Sequence, residues 1–126
     1  MPRWVWVWGP AVAQMALIFL LSSLSDAPLP EGMSDHAGHG IGYAMLAAFV
    51  LWGLTDGQLA RANAARSGIA VLWAAAYGLT DEFHQSFVPG RTAAWDDIGA
   101  DVRGALIGVA LVLILRIINK LWPTRT

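Results

Sequence analysis

The sequence predicts an all-α membrane protein: a four-transmembrane-helix bundle with both termini cytoplasmic, forming a single domain over residues 1–126. Composition is the first reason. The chain is 56% apolar and 13% charged, whereas a soluble domain runs about 45–50% and about 25%. The second is that apolar runs recur four times, each near the roughly 20 residues that cross the hydrocarbon core as a helix. The third is charge segregation between the loops. Arg3, Arg61, Arg66, Arg116, Lys120 and Arg125 gather on one side with a single acid, Asp56. The other side holds Asp26, Glu31, Asp35, Asp81, Glu82, Asp96, Asp97 and Asp101, with only Arg91 and Arg103. Positive loops stay in the cytoplasm. The expected location is therefore the cell inner membrane, multi-pass, with the acidic side facing outward.

The first segment covers about residues 5–24, with Pro10 near its start, where a proline is tolerated or kinks the helix. A cleavable signal peptide is the rival reading, with Arg3, an apolar middle and Ser23-Leu24-Ser25 as the cleavage region. Cleavage would leave the remaining orientation unchanged. The second segment covers about residues 39–55, with Ser34 as a natural N-cap before it. The third, about residues 67–87, is expected to be capped by Ser67 and stopped by Pro89-Gly90. The fourth covers about residues 97–121. Among the seven tryptophans, Trp4, Trp6 and Trp8 alternate at one end, and Trp52, Trp73, Trp95 and Trp122 lie in or near the other segments. These are expected interfacial anchors. A net charge of −1 without a basic run argues against nucleic acid as a partner. The absence of cysteine excludes disulfides, thiolate chemistry and thiol metal sites.

Ionisable groups near the hydrocarbon boundary are expensive and usually functional, so the outward acidic end is where a site is sought. Asp35, His39 and Tyr43 are spaced i, i+4, i+8 and line one helix face, while His36 is out of phase and expected to meet solvent or headgroups. Asp81 and Glu82 oppose the macrodipole in the last turns of the third helix, and at least two of Asp81, Glu82 and Gln85 share a face. His84 is expected to point elsewhere, as a surface residue. Arg91, after the Pro89-Gly90 turn, presents a planar fork suited to a carboxylate or phosphate. Two readings stay open for it, pairing with Asp96 or Asp97 and gripping an anionic headgroup. One of Asp96 and Asp97 is expected to cap the fourth helix. Asp97, Asp101, Gly104 and Gly108 form one stripe, and the Gly104/Gly108 pair lets helix backbones approach closely. Arg103 lies off this stripe, free to snorkel or to pair with Asp96.

Taken together, these residues resemble the VanZ-like family of small bacterial membrane proteins, known for a member linked to teicoplanin resistance. The family's Asp followed by His-x-x-x-Tyr is met by Asp35, His39 and Tyr43. Its Asp-Glu-x-x-Gln is met by Asp81, Glu82 and Gln85, and its Pro-Gly-Arg by Pro89, Gly90 and Arg91. Asp97 and Gly104 match the later Asp and Gly, so the resemblance covers about residues 34–110. The chain departs from the pattern at His36, where the family often has Lys, and at Asp101, where it often has Asn. The resemblance implies an integral membrane protein of the bacterial cell envelope with a link to glycopeptide antibiotic resistance. Such resistance arises from altered lipid, altered wall precursor or altered drug access.

The leading functional expectation is a site for an anionic lipid or lipid-linked wall-precursor headgroup, with membrane lipids as partners. In an enzymatic version His39 serves as general acid or base, with Glu82 and Asp97 completing the catalytic set by positioning Arg91 or taking up a proton. Arg91 holds the phosphate, and Asp35, Tyr43, Asp81, Gln85 and Asp101 complete the substrate-binding set. No cofactor is expected. His39 with Glu82, Asp97 and Asp101 would supply nitrogen and oxygen ligands, but no tight ligand spacing accompanies them, so no resident metal is expected. Proton-coupled transport is a further reading, for which four crossings are few unless the chain forms a homo-oligomer. The last reading is structural: a polar network that locks helix ends together.

Overall fold

The computed structural model describes residues 1–26, 28–92 and 94–123. Within them the chain folds into four long helices: α1 (Arg3–Ser22), α2 (Asp35–Leu54), α3 (Ala64–Gln85) and α4 (Trp95–Leu121), with a short 3-10 turn at Leu59–Arg61. Arg125, counted above on the basic side, lies outside the described residues. By length and composition α1, α2 and α4 are apolar enough to cross a membrane. The third helix is long enough but falls short in hydropathy, because its last turns carry Asp81, Glu82, His84 and Gln85.

Helix starts lie earlier than the apolar runs alone suggest, because capping groups set them. Ser34 Oγ accepts the Ala37 N–H at 3.1 Å, so α2 opens at Asp35, a turn before its apolar run. Asn63, not Ser67, caps α3: its Oδ1 accepts the Arg66 N–H at 2.9 Å. Ser67 is buried inside the helix. Neither Asp96 nor Asp97 caps α4. Ala94 holds that position without a side-chain bond, and both acids sit in the first turn, where negative charge still complements the macrodipole. Pro10 is accommodated within an unbroken α1.

Cross-helix contacts fix the topology. Gln14, Ile18 and Trp8 of α1 meet Gly42 and Gly53 of α2 in reversed order, so these two run antiparallel. Trp8–Trp73, Met15–Tyr77 and Phe19–His84 advance together along α1 and α3, which are therefore parallel. So are α2 and α4, whose contact is the most extensive in the fold. A Cβ on Gly104 would collide with the backbone of Gly40, and one on Gly108 with the backbone of Ala44. The expected glycine seam is thus a backbone-to-backbone contact with α2. Leu46, Ala47, Val50 and Leu51 of α2 are completely buried, against Ala70 and Ala74 of α3, Ala105 and Val109 of α4, and Ala11 and Ile18 of α1. The second helix is the centre of the bundle.

The outward surface is apolar around the bundle, with Leu72 and Phe83 on α3 and Leu106, Ile107, Leu111, Ile114 and Leu115 on α4 exposed. A surface of that kind suits hydrocarbon. Trp4 and Trp6 are exposed, as anchors should be. Trp8 departs from that expectation. It turns inward, stacks on Trp73 at 5.9 Å and covers Gly53, where a Cβ would lie 2.6 Å from its ring.

Charge divides the two ends. At one, Arg3 pairs with Asp56 at 2.7 Å, Arg66 donates to the Arg61 carbonyl at 2.7 Å and Arg116 to the Ala62 carbonyl at 2.5 Å. Asp56 and Gly57, both at positive φ, turn the chain there. At the other end the α1–α2 and α3–α4 connections are tied together, with Ser25 Oγ donating to the Pro89 carbonyl at 2.6 Å. Gly90 adopts φ 79° in that turn, a conformation glycine reaches without steric cost.

Candidate functional site

Three helices bring polar side chains together at this second end, with Asp35 at the exposed rim and the others inside. From α2, Asp35, His39 and Tyr43 share one face, and the His39 and Tyr43 rings lie nearly parallel with centroids 6.3 Å apart. From α3, Asp81, Glu82 and Gln85 are all buried, so the whole triplet turns inward. Asp97 and Asp101 enter from α4, and Asp101 is completely buried. The room for it comes from α3. Asp101 Oδ2 lies 2.7 Å from where a Cβ on Gly78 would stand.

Hydrogen bonds stitch the helices together. His39 Nδ1 lies 3.0 Å from Asp101 Oδ1. In the neutral imidazole with the proton on Nδ1, donated to the Asp101 carboxylate, Nε2 carries a lone pair. Nε2 faces Asp97 Oδ2 at 3.8 Å. Tyr43 donates its hydroxyl to Asp81 Oδ2 at 3.2 Å. Glu82 Oε2 accepts the Ala94 N–H at 2.8 Å, which fixes the start of α4 to the end of α3. The Glu82 and Asp97 carboxyls are close enough to act on each other electrostatically. Glu82 Oε1, like Asp101 Oδ2, is buried without a partner among the described residues. Asp101, Asp97 and Asp35 therefore stand close to one imidazole, with Asp81 and Glu82 buried in the same end of the bundle.

Arg91 does not pair with Asp96 or Asp97. Its Nε donates to the Leu24 carbonyl at 2.8 Å and its Nη2 to the Leu21 carbonyl at 3.3 Å. Leu21 lies in the last turn of α1 and Leu24 just beyond it, where carbonyls lack full intrahelical partners; the Leu21 carbonyl also accepts the Leu24 N–H at 3.2 Å. Nη1 remains, 4.0 Å from Asp35 Oδ2. Arg103 likewise leaves Asp96 alone and donates to the Gly99 carbonyl of its own helix at 3.2 Å. His36 is exposed as expected, yet its Nδ1 lies 3.5 Å from Asp97 Oδ1. His84 is not a free surface residue: its ring stacks on Phe19 at 4.4 Å, with Nε2 3.4 Å from Ser23 Oγ.

A cavity of about 270 Å³ opens between α1 and α2. Leu17, Ile18, Leu21, Met33, Ile41 and Met45 furnish apolar walls, while Asp35, His39, Tyr43, Asp81 and Arg91 form its polar part. Gln14 also lines it, buried, with Nε2 donating to the Gly42 carbonyl at 2.9 Å. The reading from sequence missed Gln14, although a lone polar residue inside an apolar run carries a cost that signals a role. Tyr77 was missed too. It donates to the Met15 carbonyl at 2.6 Å and fastens α3 to α1.

Chemically, the cluster is able to hold and pass protons, to hold a cation, or to seat a polar head whose apolar body lies between α1 and α2. The model of the VanZ/LLP1 family matches residues 15–116. No curated protein and no solved structure matches the chain.

Proposed function

The chain belongs to the VanZ/LLP1 family, and from that membership we propose that it binds an anionic lipid or lipid-linked headgroup at the outer face of the bacterial cytoplasmic membrane. The cavity between α1 and α2 carries this reading. Ligand sites are mostly apolar, with a few convergent polar groups. Here apolar walls lead to Arg91, His39, Tyr43, Asp35 and Asp81. An acyl or prenyl chain lies between α1 and α2, and its head meets the polar part. Arg91 Nη1 is the cationic donor toward a phosphate, held in place by the two carbonyls that take its other nitrogens. The segregation of basic and acidic loops supports four crossings with cytoplasmic termini, α3 included, because its partners shield its polar face while Leu72, Leu79 and Phe83 face outward. A link to teicoplanin resistance follows if the bound head is that of a wall precursor.

In an enzymatic version His39, relayed through Asp101, takes or gives the proton, and Glu82 beside Asp97 stores it. Among the described residues the cluster holds no serine or cysteine, so in this version the nucleophile is an activated water or one of the cluster's own carboxylates.

Filling the cavity tests the proposal. A Cβ on Gly42 would meet only Ile18 and Gln14, at 3.9 and 4.0 Å, so Gly42→Leu inserts its branches into the cavity with little backbone displacement. Expected is at least a tenfold weaker retention of envelope phospholipids and polyprenyl phosphates, about 1.4 kcal/mol, read by native mass spectrometry with the melting temperature nearly unchanged. Equal retention by the variant sinks the reading. Headgroup turnover in reconstituted vesicles, compared between wild type and His39→Ala, decides the enzymatic version. Identical time courses remove it.

A further inference from the structure

We infer that Asp35, His39 and Asp97 form a binding site for a divalent cation of the zinc or manganese type, at the entrance to the acidic interior. One ligand atom from each of these residues lies within 4.8 Å of both others. The His39 Nε2 to Asp97 Oδ2 separation of 3.8 Å is too long for a hydrogen bond. It does suit two ligands of one ion, since metal–ligand bonds of about 2.1 Å allow separations up to about 4.2 Å.

The state of His39 fits the role. A metal-binding imidazole commonly donates its second N–H to a carboxylate, which fixes the tautomer and raises ligand basicity. Asp101 stands in that position at 3.0 Å from Nδ1, and Nε2 is left facing the other ligands.

Independent support comes from Glu82. This residue is 4% exposed, its Oε1 has no partner among the described residues, and its carboxyl is beside Asp97. A buried, unmatched carboxylate oxygen is costly, and a cation held by the neighbouring Asp97 would offset its charge. Charge points the same way. Among the described residues, Asp35, Asp81, Glu82, Asp97 and Asp101 face His39, the exposed His36 beside Asp97, and Arg91, whose guanidinium is largely committed to the Leu21 and Leu24 carbonyls. Imidazole with carboxylates, and no thiolate or thioether, selects zinc or manganese over copper(I) and over calcium. The site stands without the lipid reading; with it, the ion bridges the acids to a phosphate that they would otherwise repel.

The test uses the full chain purified in detergent, stripped with chelator and titrated calorimetrically with ZnCl2 and separately with MnCl2, without lipid. Saturable, near-stoichiometric binding of at least one of the two ions is expected. Asp35→Asn, at an exposed position that does not threaten folding, and His39→Ala are expected to weaken it at least tenfold, while Asp96→Asn leaves it unchanged. No saturable binding of either ion by the wild type overturns the inference, as does an Asp35→Asn affinity equal to wild type. Should His39→Ala misfold by circular dichroism, Asp35→Asn and the wild-type titration decide alone. A negative result leaves the cavity reading intact, because lipid retention by Gly42→Leu is measured on metal-stripped protein.

Discussion

Replacing Gly104 with alanine is expected to cost about 3 kcal/mol of stability, at the upper end of what overpacking of a close contact produces. The new methyl group would overlap the carbonyl, C and Cα of Gly40, which are backbone atoms with no rotamer to change. Relief therefore requires α2 and α4 to move apart, and that seam is the largest helix pair in the fold. Gly108→Ala presses on Ala44 in the same way, and the double variant falls short of additivity because both act on one seam. Gly68→Ala is the control. A Cβ there meets nothing within 4 Å, so that helix position gains about 0.5–1 kcal/mol. Thermal unfolding in detergent, followed by circular dichroism, reads all four variants. A Gly104→Ala melt matching wild type contradicts the contact.

Asp101→Ala is expected to be nearly as harmful, by about 3 kcal/mol, because it strips the partner from a largely buried His39 and leaves a void against Gly78. Asp101→Asn should behave quite differently. The amide keeps an oxygen for the His39 N–H, and it replaces Asp101 Oδ2, an oxygen with no partner among the described residues, by an uncharged group of the same size. The melting temperature of the asparagine variant should stay at or above that of wild type, while the alanine variant drops well below. Should both fall together, the carboxylate charge itself is needed. That would point to His39 as imidazolium rather than as a neutral ligand.

Periodicity made much of this arrangement legible. The i, i+4, i+8 spacing of Asp35, His39 and Tyr43 put them on one face, and the Asp97–Asp101–Gly104–Gly108 stripe announced a close-packed helix. Spacing names a face, however, not its neighbour. Nothing in the stripe says that Gly104 meets Gly40, or that Asp101 fits against Gly78 (contacts set by how the helices cross). Arg91 shows the same limit. Its proximity in sequence to Asp96 and Asp97 suggested ion pairs, yet the carbonyls at the end of α1 lie nearer in space. Capping deceived for a local reason. Ser67 and Asp97 are good cap residues placed where their helices had already begun, at Ala64 and Trp95. Gln14 was readable in principle, because only glycine and proline interrupt the apolar character of the run around it.

The grip of Arg91 on Leu21 and Leu24 bears on how the protein is made. Those carbonyls are synthesised nearly seventy residues before the guanidinium that satisfies them. Until the ribosome has delivered that later segment, the Leu24 carbonyl lacks this donor and the Leu21 carbonyl has only the Leu24 N–H. Synthesis thus closes with a latch: the α3–α4 connection, made late, secures the end of α1.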